Sequence, residues 1–137
     1  MGVIDATDTP LGRLASMVAK RLMNGEEIFI VNAELSIING NKEEIIKRYR
    51  RKREIGGMKR KGPYFPKMPH MILKRTVRGM LPYQQPKGRK AYKRLKVFIG
   101  VPKEFEGKEK EKIEGKKSVN YITLKELSEY LGVKWQK

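Results

Sequence analysis

The sequence contains no cysteine. That excludes a disulfide scaffold and any cysteine-ligated zinc site, and it fits a reducing compartment. Histidine is nearly absent too: the only one, His70, stands beside Pro69 at the start of a predicted helix. A structural or surface role suits it better than catalysis. No run reaches the roughly 18 apolar residues that a membrane-spanning helix needs. The opening MGVIDATDTP carries acids and no basic n-region, so it does not read as a signal peptide. Its Ala6 stands where a myristoylation motif wants Ser or Thr. No glycine-rich phosphate loop follows either early strand, since DTPLGRLA offers Gly12 alone where a dinucleotide fingerprint wants three glycines. Gly12 is read instead as a close approach between a helix and another backbone. No carboxylate pair stands out. Asp5 ends the first strand, where ligands bind in open α/β sheets, but a turn or cap role fits it better. The reading therefore carries no catalytic residue, cofactor, metal ligand or small-molecule substrate.

Acid is the other scarcity. Across Lys74–Pro102 there are nine Lys or Arg and not one Asp or Glu. The whole chain of 137 residues has 32 basic and 15 acidic side chains, a net charge of +17. The excess is local. Residues 1–40 are at −2, residues 41–100 at +17 and residues 101–137 at +2. Self-repulsion on that scale is costly unless a polyanion screens it. Nucleic acid is the natural polyanion, because each neutralised phosphate also releases counterions. With 39% hydrophobic residues the chain is no disordered basic tail. Its length suits one domain, 1–137. An anionic membrane fits less well, because the predicted helices have no broad lipid-inserting face.

The hydrophobic pattern supplies the frame. Val3–Ala6 reads as a strand. Thr9 as N-cap and Pro10 at the first helical position announce a helix. Leu11, Leu14, Ala15, Val18, Ala19 and Leu22 then form one apolar stripe, and Asn24-Gly25 stops it. Ile28–Val31 reads as a strand buried on both faces. Together these make a βαβ unit. Leu35–Gly40 is another extended piece. Asn41 caps a helix with Glu43 and Glu44 in its first turn, with Ile45, Ile46 and Tyr49 on its apolar side and a run of cations behind. Residues 56–69, GGMKRKGPYFPKMP, hold too many glycines and prolines for regular structure. They read as a basic arm, expected to order on binding. Pro69 starts a helix with Leu73, Val77, Met80 and Leu81 on one flank and Lys74, Arg75 and Arg78 on the other. A further helix sets Ala91, Tyr92 and Leu95 against Arg89, Lys90, Lys93 and Arg94. Val97–Ile99 reads as a strand. Residues 103–118 alternate in sign and read as a charged, solvated surface segment. Val119–Ile122 is extended, and Thr123 with Glu126 has capping-box spacing ahead of the stripe Leu124, Leu127 and Leu131.

Tyr64 and Phe65, inside the proline-bounded basic arm, stand either as stacking platforms for unpaired bases or as pins holding the arm to the domain. Tyr49 and Tyr92 read as core edge, and Trp135 as a packing anchor. Composition does not choose RNA over DNA. Basic patches on three helices plus an arm suit an irregular folded RNA better than a straight duplex, and no helix-turn-helix, zinc-finger or basic-zipper spacing is present.

Several stretches together resemble a known family. They are Leu11–Ser16 (LGRLAS), Ile30–Glu34 (IVNAE), Gly40–Lys42 (GNK), and above all Val77–Pro82 (VRGMLP) with Gly88-Arg89 and Leu95–Val97 (LKV). Their order is similar to that of the large-subunit ribosomal protein L-thirteen family, over about residues 3 to 102. The arginine-rich segment after Tyr49, and a start at the first strand, look like its archaeal and eukaryotic branch. The resemblance implies a three-layer α/β/α domain on a mostly parallel sheet of about four strands. It implies a structural, non-catalytic role in the large subunit of the cytoplasmic ribosome. Large-subunit ribosomal RNA and neighbouring ribosomal proteins would be the partners, and subunit assembly would depend on the protein. The phosphate contacts expected are Arg48, Arg50, Arg51, Lys52, Arg53, Lys59, Arg60, Lys61, Lys74, Arg75, Arg78, Arg89, Lys90, Lys93 and Arg94, with Tyr64 and Phe65 added as RNA contacts. Two rivals stand beside this reading. One is an enzyme acting on RNA, and the other is a free regulatory RNA-binding protein.

Overall fold

The computed structural model describes residues 2–57 and 66–134, and the side chains of these residues outside 53–57. Strand β1 (Gly2–Asp5) lies parallel to β2 (Ile28–Val31), in register from Gly2 opposite Ile28 to Asp5 opposite Val31. On the far side of β2, β4 (Leu95–Val97) is also parallel, with Leu95 opposite Ile28. Outside β1, β5 (Glu111–Lys112) completes a four-stranded parallel sheet in the order β4-β2-β1-β5. This is the predicted α/β architecture.

The crossover from β1 to β2 is helix α1 (Leu11–Met23), whose buried side is the predicted stripe from Leu11 to Leu22. Its start differs from expectation. Pro10, in an extended conformation, is itself the N-cap, and the Thr9 hydroxyl donates to the Thr7 carbonyl (3.2 Å) instead of capping. Nor does Gly12 mark a close approach, for a Cβ there would meet no atom within 4 Å among the described residues. At the other end Gly25 takes φ +95°, the left-handed geometry that stops a helix.

Strand β3 (Ile37–Asn39) pairs antiparallel with β6 (Tyr121–Thr123) in a separate two-stranded sheet. Sequence patterning saw two extended pieces there, but pairing partners over 80 residues apart leave no local signal. Helix α2 (Lys42–Gly57) begins as predicted: the Asn41 side-chain oxygen accepts from the backbone N–H of Glu43 (2.9 Å) and of Glu44 (3.3 Å). It runs to Gly57, two residues into the segment read as an arm, because a glycine at a helix end costs little. Residues 58–65 of that arm lie outside the described residues.

Helix α3 (Pro69–Gly79) buries Ile72, Leu73 and Val77. Met80 does not join them. It is the C-cap and is 46% exposed, since the helical wheel ends one residue earlier. Helix α4 (Pro86–Lys93) is likewise short, and Leu95 belongs to β4 rather than to the helix. Leu95 and Val97 point inward with Ile28 and Ile30, and exposed Lys96 alternates with them. Helix α5 (Leu124–Tyr130) is capped by Thr123, whose hydroxyl accepts from Glu126 N–H (3.1 Å). The Glu126 carboxylate does not close the capping box. It reaches the Lys42 ammonium at 3.1 Å.

The sheet separates two cores. Ile4, Ile28, Ile30, Leu95 and Val97 pack with the helices. Val3, Phe29, Val31 and Phe98 face the other way, covered by Phe105 from a 3-10 turn at Lys103–Phe105. The Phe105 ring sits 5.2 Å from Phe29 and 5.6 Å from Phe98, centroid to centroid. The charged segment 103–118 is therefore exposed along most of its length but anchored at Phe105 and at β5. Arg21 of α1 holds the latter, donating to Glu26 (2.6 Å) and to Glu111. Among the described residues no helix is long and apolar enough to cross a membrane.

Candidate nucleic-acid interface

The apolar sides of α2 and α3 are taken up by the core, so their cationic sides must face outward together. Arg48 and Lys52 of α2 and Thr76 of α3 line one groove with Gly12 and Arg13 of α1. The Lys52 ammonium lies 4.7 Å from the centre of the Tyr49 ring, and the Arg48 guanidinium 6.0 Å from it. Tyr49 is buried, as expected of a core-edge residue, and burial pushes its hydroxyl pKa up against the pull of Arg48. Burial lowers the Lys52 pKa, and the charges of Arg48 and Arg75 lower it further. Arg75 thus links this cluster to α3.

A second cluster continues along α3. Lys74 sits 5.0 Å above the ring of Tyr92, and Arg78 sits 4.2 Å above the ring of Tyr83. The two tyrosines meet edge to face at 5.5 Å. Burial lowers the Lys74 pKa, with Lys96 of β4 adding to the effect. Burial raises the Tyr92 hydroxyl pKa, opposed by Arg78 and Arg75. For Lys52 and Lys74 burial comes first and neighbouring cations second, so an opposite charge placed beside either ammonium would be favoured. The recorded ion pairs, Arg21 with Glu26 and Glu111, Lys42 with Glu126, and Lys117 with Asp8, all lie elsewhere. Among the described residues no acid pairs with Arg48, Lys74, Arg78, Lys90 or Lys93.

The remaining predicted contacts divide into three groups. Arg51, Lys90 and Lys93 are exposed, and exposed Arg50 donates to the Tyr130 carbonyl (3.2 Å). Arg89 and Arg94 work within the fold. Arg89 donates to the carbonyls of Tyr83 (3.3 Å) and Gln84 (3.1 Å), and Arg94 to the carbonyl of Leu22 at the end of α1 (2.9 Å). The side chain of Arg53, and all of Lys59, Arg60, Lys61, Tyr64 and Phe65, lie outside the described residues, as does Trp135, read as a packing anchor. Sequence reasoning missed Tyr83, read only as part of a loop, and Lys96. The available signal for Tyr83 was an aromatic between Pro82 and Pro86 in a basic stretch.

Among the described residues no reaction centre is assembled. Burial first and Lys74 second lower the His70 pKa, and its Nδ1 has no partner among the described residues. Asp5 Oδ1 accepts from Thr7 N–H (3.0 Å), the Thr7 hydroxyl (2.7 Å) and the Asn32 amide (3.1 Å), which ties the residue to the turn after β1. Among the described residues no three His, Asp or Glu come together to hold a metal.

The same chain is similar to proteins of known identity. The family profile described as Ribosomal protein L13 matches residues 1–104. A large ribosomal subunit protein uL13 of Archaeoglobus fulgidus is 54% identical over 136 residues, covering 95% of this chain and 86% of that protein. The Methanocaldococcus jannaschii protein of the same name is 54% identical over 139 residues, 98% of this chain and all of that one. The Methanosarcina barkeri protein is 50% identical over 141 residues, with 98% and 100% covered.

Proposed function

Because this chain belongs to the ribosomal protein L13 family, we infer that it is a structural constituent of the large ribosomal subunit, held there by ribosomal RNA. It is a structural protein and not an enzyme, and its place is the large subunit of the cytoplasmic ribosome. Ribosomal RNA and other ribosomal proteins are its partners.

The observation that carries the RNA-binding reading is the run of cations from Arg48 and Lys52 in one groove to Arg75 and Arg78 in another, with Lys74 over Tyr92 on the same helix as the second pair. The parallel sheet and its helices hold these side chains on one rigid support. Phosphates set against them relieve the mutual repulsion and release counterions, so RNA segments that repel each other approach on this surface. Such contacts position the protein and carry little sequence information. Support for subunit assembly follows from the same property.

The test is sedimentation of a lysate through a sucrose gradient at moderate salt, with each fraction probed for this chain. Co-migration with the large subunit through a moderate salt wash is the expected result. A chain found mainly as free protein at the top would overturn the reading and leave a free regulatory RNA-binding protein in its place.

A further inference from the structure

The following rests on the reading above, that the chain binds large-subunit RNA, and names what one part of its surface holds. Between α3 and α4 the backbone turns sharply and is tied at each step. Tyr83 N–H donates to the Leu81 carbonyl (2.8 Å) and Gln85 N–H to that of Pro82 (3.0 Å). From outside the turn, Arg89 donates to the carbonyls of Tyr83 and Gln84. Gly88 presses against the Pro82 carbonyl so closely that no side chain fits between them. These bonds hold the turn before any ligand arrives, so ordering its backbone costs little at binding.

Beside this turn opens a groove of about 460 Å³, walled by Arg75, Arg78, Pro82, Tyr83, Gln84 and Gln85. That volume falls in the range of small-ligand sites. The Arg78 guanidinium carbon stands 4.2 Å from the centre of the Tyr83 ring, so a cation and an aromatic ring meet in the groove wall. Gln84 and Gln85 are exposed, and neither side-chain amide has a partner among the described residues. A surface meant for phosphates alone needs Lys and Arg only. Two free amides and an aromatic held on a rigid turn suit a ligand with a flat face and a hydrogen-bonding edge.

We propose that this groove receives one unpaired nucleotide of the RNA. Its base stacks on the Arg78–Tyr83 pair, its edge is read by the amides of Gln84 and Gln85, and its phosphate lies against Arg75 and Arg78. Bases inside an A-form helix are out of reach of such a groove, whereas splayed bases stack on aromatic and guanidinium planes and offer their edges. Arg75 and Arg78 in the groove wall, and exposed Lys87 and Lys90 on the helix that follows, favour a nucleic acid over an apolar peptide.

The test uses the full-length protein and large-subunit ribosomal RNA, with nucleotide-resolution probing of RNA flexibility and binding titrations at several salt concentrations. The variant Gln84→Ala/Gln85→Ala changes two exposed side chains, and a thermal melt checks its fold. One unpaired nucleotide protected by the wild type regains reactivity with this variant, while the rest of the footprint persists. Affinity falls about tenfold with the salt slope unchanged, since no charge is removed. Tyr83→Leu reproduces the effect, and Tyr83→Phe restores binding because it keeps the ring. A wild-type footprint and affinity in the double-alanine variant would overturn the proposal. So would a general weakening with no single nucleotide released. Failure of the wild type itself to bind the RNA would remove the function proposed above together with this one, and the wild-type titration reports that separately.

Discussion

Gly88, in the first turns of α4, faces the carbonyl oxygen of Pro82 so closely that a Cβ added to it would lie 1.9 Å from that oxygen and 2.3 Å from its carbon. The obstacle is backbone, so it cannot swing aside as a flexible side chain would. Gly88→Ala therefore separates α4 from the end of α3. The expected loss of stability is about 3 kcal/mol, at the upper end for overpacking, read as a shift in the urea midpoint. RNA affinity falls with it, because the Tyr83 turn is moved. Lys87→Ala, one residue away and exposed, leaves the midpoint where it was. An unshifted midpoint in Gly88→Ala would show that α4 docks with room to spare.

Arg94 and Lys93 are neighbours in sequence with opposite employment. Arg94 donates to the Leu22 carbonyl in the last turn of α1 (2.9 Å), which also accepts from Gly25 N–H (3.1 Å). Lys93 is exposed. Arg94→Ala is expected to cost about 2 kcal/mol of folding stability, as for a hydrogen bond from a charged donor. Lys93→Ala leaves stability unchanged but lowers the slope of log affinity against log salt by roughly 0.7 to 0.9, the loss of one phosphate contact. Denaturant unfolding and salt titrations on the same two proteins decide this. A reduced salt slope without destabilisation in Arg94→Ala would assign that guanidinium to the RNA.

Local chemistry was legible in the sequence wherever the determinant was local. The α1 stripe, the Asn41 cap and the buried runs of β1 and β2 follow from periodicity and from side-chain hydrogen bonding, and the structure holds all three. The pairing of β3 with β6, and the addition of Glu111–Lys112 to the sheet edge, join residues far apart in the chain. Two-residue strands of charged side chains have no hydrophobic period to find. On the proposed binding surface, charge singles out the region but does not sort its members. Arg89 and Arg94 look like every other cation until the carbonyls they serve are seen. Tyr83 was hidden because its importance lies in Arg78 above it and Tyr92 beside it, neither adjacent in sequence.

Asp5 gives a stability change with a definite direction. Burial alone would raise its pKa, but the hydrogen bonds from Thr7 and Asn32 and the charge of Lys112 outweigh it, and the net shift is downward. A carboxyl with a lowered folded-state pKa stabilises the fold above its unfolded value. That contribution is lost as pH falls through the lower folded value. Below about pH 3.9, stability measured by urea unfolding should therefore decline with a component absent from Asp5→Asn. At pH 7 the same variant is less stable by about 1 kcal/mol, the loss of charge-assisted acceptance. Parallel acid profiles for the two proteins would show that Asp5 titrates alike in both states.

The lysines of the cationic band make the opposite case, and they connect protonation to binding. In the free protein burial, then Arg48 and Arg75, lower the pKa of Lys52, while burial and Lys96 lower that of Lys74. A lowered lysine pKa means that the charged form is penalised in the fold. An RNA phosphate beside the ammonium reverses the penalty and raises the pKa. At a pH between the free and bound values, binding must take up protons, and affinity must fall as pH rises through that window. The window opens at the lowered free-protein pKa, below the ordinary lysine value of about 10.4. Calorimetric titration at about pH 9, in two buffers of unlike ionisation enthalpy, measures the uptake directly. The wild type is expected to take up protons on binding. Lys52→Met and Lys74→Met each take up fewer. Uptake that persists in the Lys52→Met/Lys74→Met double variant would mean that the phosphates lie against other groups. Without uptake in the wild type, the band would not be what the RNA touches.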